Sequence, residues 1–272
     1  GTVTNKGKKL PSYAEEIGLR TTDLKHFSRR EESIRSQLAE SIPLYGKHIK
    51  ASNRAYTAFL NQLRADQLNT LVSAAESAGL NPKNNLVLGK NIAEVINDAT
   101  GRGSLKTTIP LTGGHEINLE RNAKLLTDVM FSPRLMARNI RMLNPSTYAQ
   151  LDPFTRKEAV KNMLRLTGAW GSLAGLLKLG GAQLSLDPTN PDFMKPKIGN
   201  TLLDPGAGMQ QYLVLLSQNI AGGKTSSTSN QFNEFGKGYK PETMFSNTME
   251  FALNRVHPTA RLAIDIMRAA ED

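Results

Sequence analysis

Apolar positions recur along most of the chain at the 3.6-residue spacing of amphipathic helices. The clearest run covers 52–78. There Tyr56, Phe59, Leu60, Leu63, Leu68, Leu71 and Val72 form one stripe, Ser52 stands at the start, and Gly79 with Pro82 marks the stop. A capping box, Ser28 and Glu31, opens a shorter helix over 28–41, and Ile92, Val95, Ile96 and Ala99 outline another over 90–99. Helices follow over 119–130 and 133–143, divided at Ser132-Pro133. Asp152-Pro153 begins a long helix that ends near Leu179, Asp204-Pro205 begins one that reaches Ile220, and two more close the chain over 241–255 and 259–270. Two polar Gly-rich stretches, 101–118 and 222–240, interrupt the periodicity and are expected to be mobile loops. Between 183 and 203 the pattern shortens to alternation among Pro188, Pro191 and Pro196, which predicts a small hairpin. The expected fold is mainly α, an irregular bundle of about nine helices with one small β-hairpin near 183–203. Its organisation reads as a basic N-terminal arm over 1–27, poorly anchored, and an N-terminal helical region over 28–110. A C-terminal helical region over 111–272 contains the Gly-rich helix 153–180.

That Gly-rich helix is the most distinctive segment. Gly168, Gly171 and Gly175 recur at helical spacing, and Trp170, the one tryptophan, sits among them. Leu166–Leu177 is an uncharged run of 12 residues, short of the ~20 that span a bilayer. Such glycines admit a close neighbour: another helix of the bundle, a second copy, or a lipid interface. The expectation is a buried, tightly packed helix.

Charge changes the picture next. With 34 basic and 24 acidic residues the net charge is +10, which favours polyanions. Arg134, Arg138 and Arg141 fall on one helix face, and Lys157, Lys161 and Arg165 on another with Arg156 beside them. Nine basic residues against three acidic ones between 121 and 165 make these stripes a candidate polyanion-binding surface. Without aromatic interleaving, DNA contact through it would be to the backbone and insensitive to sequence.

Reaction chemistry is harder to find. There are no cysteines, hence no disulfide, thiolate metal site or cysteine nucleophile. Gly223-Lys224-Thr225 ends like a phosphate-binding loop, but Gln218 stands where the loop needs glycine. His115-Glu116 lacks the second histidine of a zinc helix, and His26, His48 and His257 have no ligand spacing. Glu15/Glu16 and Glu31/Glu32 read as solvated faces. The expectation is no enzyme, no metal, no cofactor and no small-molecule substrate. The first 20 residues lack the apolar core of a secretion signal, and a start at Gly1 suggests a fragment or a processed product.

Several stretches, in order, resemble the large phage "polyvalent" proteins. They are RREESIRSQLAESIPLYGKHIKASNRAYTAFLNQLRAD (29–66), NDATGRGSL (97–105), VMFSPRLMARNIRMLNPSTYAQLDPFTRKEAVKNMLRLTG (129–168), IGNTLLDPGAGMQQYLVLLSQNIAGGKTSS (198–227) and FALNRVHPTARLAIDIM (251–267). Those long multi-domain products are packaged in virions and delivered with the DNA. The resemblance implies a non-enzymatic structural or ejection component of a tailed-phage virion. Its expected location is the virion, then the host cell envelope or cytoplasm after injection. Its expected partners are other virion proteins or copies of itself, with DNA and a membrane surface as further contacts. The alternative is an injected accessory protein that binds DNA without sequence specificity in the host.

Overall fold

The computed structural model describes residues 12–21, 46–108, 116–118, 133–204, 206, 208–237, 241–256, 261–262 and 265–266. The helices expected over 28–41 and 119–130, and most of 259–270, lie outside the described residues. The fold is mainly α, as the periodicity predicts. Among the described residues the helices are α1 (Tyr13–Glu16), α2 (Gly46–Ser77), α3 (Leu86–Ala99), α4 (Pro133–Leu143), α5 (Pro145–Ala149), α6 (Pro153–Leu179), α7 (Met209–Ala221) and α8 (Met244–Leu253). Three antiparallel strand pairs accompany them: β1 (Lys106–Thr108) with β2 (Glu116–Asn118), β3 (Lys197–Ile198) with β4 (Thr201–Leu202), and β5 (Gly223–Thr225) with β6 (Phe232–Glu234). The β3–β4 pair is the hairpin expected near 183–203. The other two stand within the stretches expected to be loops.

The chain forms two compact units, Gly1–Val160 and Lys161–Asp272, divided within α6. In the first, α2 presents Leu68, Leu71, Val72 and Ala75 at i, i+3, i+4 and i+7, the spacing that stacks side chains on one helix face. Leu68, Leu71 and Val72 pack with Leu88, Ile92, Ala93 and Ile96 of α3. Asn85 caps α3, accepting from Leu88 N at 3.1 Å. The expected arm is in part anchored, because Ile17 and Leu19 enter this core at 2 % and 5 % exposure. Asn97 holds them there by donating to Gly18 O at 3.0 Å and accepting from Arg20 N at 2.9 Å. α4 ends at Leu143, and the Asn144-Pro145 pair that follows caps the further helix α5, Asn144 accepting from Ser146 N at 3.0 Å.

The second unit has a thin core. Among its described residues the buried apolar side chains are Trp170, Ala174, Pro196, Met209 and Val214. Tyr212 and Phe251 meet edge to face with centroids 5.1 Å apart, and the Arg255 guanidinium lies 3.4 Å from the Phe251 ring centre. Gln218, 5 % exposed, donates to Thr189 O at 2.8 Å and accepts from Asn247 Nδ2 at 3.1 Å, so a polar contact does part of the work of a core.

Candidate functional site

The two expected basic stripes meet different fates. On α4 the cations turn inward. Arg141 is buried, donating from Nε to Asp98 Oδ2 at 2.9 Å and also pairing with Glu94. Burial works against its charge, but Asp98 and Glu94 outweigh that and raise its pKa. For Asp98 the balance runs the other way. Burial lifts its carboxyl above the ordinary value by more than Arg141 lowers it. Arg138 donates from Nε to the Asp98 carbonyl at 3.0 Å, and burial lowers its pKa against the pull of Asp98. Arg134 is half-buried and donates to Gly103 O at 3.3 Å. The reading of Arg134, Arg138 and Arg141 as an outward polyanion face is therefore corrected: these guanidiniums join α4 to α3 and to the turn after it.

Arg156 is likewise engaged. It donates to the carbonyls of Tyr148, Ala149 and Leu151, each at 3.0 Å, and so satisfies the end of α5. Lys157, Lys161 and Arg165 stand at exposed positions of α6, and Arg165 donates to Asn162 Oδ1 at 3.3 Å. Arg156 is exposed as well, so four of the seven cations keep the outward position that the sequence suggests, although the Arg156 guanidinium is spent on backbone carbonyls.

The glycines of α6 do not meet a neighbour. Among the described residues, a Cβ placed at Gly168, Gly171 or Gly175 would find no atom within 4 Å, so the tightly packed helix is corrected to one with an open face there. Leu164, Leu173, Leu176 and Leu179 are exposed around them, the last at 87 %. Trp170 alone of the four residues singled out is buried. Its indole Nε1 donates to Met194 O at 3.1 Å. Among the described residues no helix is long and apolar enough to cross a membrane, and no group of acidic or histidine side chains is placed to hold a metal ion.

A second feature went unread in the sequence. A cavity of about 630 Å³ opens beside the hairpin of the second unit, walled by the extended strip 183–187, the turn 190–195 and the loop after β5. Gln183 exchanges both backbone hydrogen bonds with Lys197, and Lys197 pairs onward with Leu202, so a small sheet underlies the cavity. Met194 holds a left-handed backbone, φ 57°, which is rare for a methionine. Its N–H donates to Ser185 O at 2.9 Å, and its carbonyl is the one that Trp170 binds. On the opposite wall Thr189 and Thr225 share a hydroxyl hydrogen bond of 2.7 Å. The Thr225 hydroxyl first, and then Thr189, hold the Asp187 carboxyl below the ordinary range. Gly223-Lys224-Thr225 is thus strand β5 rather than a phosphate loop, and Lys224 pairs with Glu242 at 2.6 Å. The sequence signal for this cavity was the proline-broken alternation of 183–204 itself.

No protein-family model, no curated protein and no solved structure matches the chain.

Proposed function

We propose that the chain is a non-enzymatic structural or ejection component of a tailed-phage virion, delivered with the genome. On this reading its second unit docks on other copies of itself or on neighbouring virion proteins. The observation that carries the reading is the imbalance of that unit. Five apolar side chains, one of them a proline, are buried among its described residues, while many large ones stand in solvent, among them Leu176 at 67 %, Leu179 at 87 %, Ile220 at 79 % and Phe245 at 74 %. A small unit gains little from so thin a core, and large apolar side chains left in solvent on three of its helices are what an interaction surface would use. The open glycines of α6 would let a partner backbone approach closely. The order of the phage-like stretches along the sequence supports a virion location.

Inward-turned Arg134, Arg138 and Arg141 take away much of the cationic surface on which the DNA-binding alternative depended. Mass spectrometry of nuclease-treated, protease-treated phage particles tests the proposal. The chain is expected inside intact particles and lost from them on ejection. Its absence from particles would overturn the assignment. Light scattering of the purified chain tests the docking face. The expected result is self-association that Leu173→Asn/Leu176→Asn abolishes, without salt-sensitive retention on DNA.

A further inference from the structure

We infer that the cavity beside the β3–β4 hairpin is a binding site for a neutral oligosaccharide. Its charges cancel: Asp187 and Asp192 face Lys195 and Lys197 around one opening. An anion entering it would meet the two carboxylates, a cation would meet the two ammonium groups, and an apolar guest would cover Asp192 and Lys197, which among the described residues lack the partners that Asp187 has in Thr189 and Lys195 has in the Pro191 carbonyl. A sugar hydroxyl both donates and accepts, so it can bridge such mixed walls without carrying charge.

Unused hydrogen-bonding capacity points the same way. Among the described residues the side chains of Gln183, Asp192 and Ser227 have no hydrogen-bond partner, nor do the backbone groups of Leu184 and Leu186. Leu184, Leu186 and Leu202 supply apolar patches for the C–H faces of pyranose rings. The volume suits about two to three such rings. The walls are also fixed in advance. Trp170 and Ser185 pin the turn at Met194, and the Thr189–Thr225 pair with Gln218 ties the opposite side. A site held in shape before the ligand arrives loses less freedom on binding.

The whole chain should be titrated, by calorimetry and by NMR, with maltotriose, cellotriose and N,N′-diacetylchitobiose. A sulfated disaccharide and an extended hexapeptide serve as counter-probes. At least one neutral sugar is expected to bind saturably, with Kd at or below about 1 mM. Gln183→Ala and Asp192→Ala are each expected to weaken it about tenfold or more while leaving the melting temperature in place, because neither side chain bonds within the fold. Three results would overturn the inference: no saturable binding of any neutral sugar up to about 10 mM, tighter binding of the sulfated sugar or the peptide, or sugar binding that both variants leave intact.

Discussion

Arg141 reaches from α4 to place its Nε 2.9 Å from Asp98 Oδ2 near the end of α3, with both side chains 10 % exposed. Removing one member leaves the other charged and buried. Arg141→Met is expected to cost about 3–5 kcal/mol at neutral pH, and adding Asp98→Leu to recover a large part of that loss. A urea-denaturation double-mutant cycle checks both. The pH dependence has a definite sign. Burial raises the folded-state pKa of Asp98, so its contribution is fully present below the ordinary 3.8 and is lost as pH rises through the folded value. The deficit of Arg141→Met should therefore shrink toward acid, where a protonated Asp98 no longer buries charge.

Asp152 behaves oppositely. Burial raises its pKa, but hydrogen bonds from Thr155 and Asn91 outweigh that and hold it low. It caps α6 and contributes stability above the ordinary 3.8, which is lost as pH falls through the depressed folded value. Asp152→Ala is expected to cost about 1–2 kcal/mol at pH 7. Asp152→Asn should cost less, since asparagine caps as well, and should flatten the acid limb of a stability-versus-pH curve measured by circular dichroism.

Gly103 lies against the backbone of α4. A Cβ there would stand 2.5 Å from Arg138 N and 2.9 Å from Arg134 O, and its own carbonyl accepts from both Arg20 and Arg134. Gly103→Ala should destabilise the first unit by about 1–3 kcal/mol, because neither backbone can yield by a side-chain rotation alone. Amide exchange should show the loss at the α3–α4 contact.

The open glycines of α6 predict the reverse. Gly168→Ala, Gly171→Ala and Gly175→Ala should each stabilise the dissociated chain by about 1 kcal/mol, since alanine favours the helix and nothing stands in its way. In an assembly that uses this face the same changes should weaken association. Thermal melting and light scattering on the same samples separate the two effects.

Most of the helical framework was legible because apolar periodicity is a local signal. Pro133–Leu143 and Pro153–Leu179 begin and end where their prolines and caps predict. Direction in space was less legible. A stripe such as Arg134, Arg138 and Arg141 looks the same whether it faces solvent or the acids of another helix. Glu94 and Asp98, four apart on α3, were the available hint of a receiving face, and they carry meaning only once α3 and α4 are known to touch. The glycines of α6 misled for a related reason: they permit close packing without supplying a neighbour. The β1–β2 and β5–β6 pairs are too short, at three residues a strand, for alternation to register.

Trp170 ends up as an internal gauge. It is the sole indole of the chain, and its N–H grips the carbonyl of the strained Met194 turn. Ultraviolet emission from the unlabelled protein therefore originates, as far as tryptophan is concerned, at a single spot hydrogen-bonded to the turn whose Asp192 and Lys195 line the cavity. Occupancy that tightens or loosens that turn can be followed by colour and quenching alone, with no dye attached.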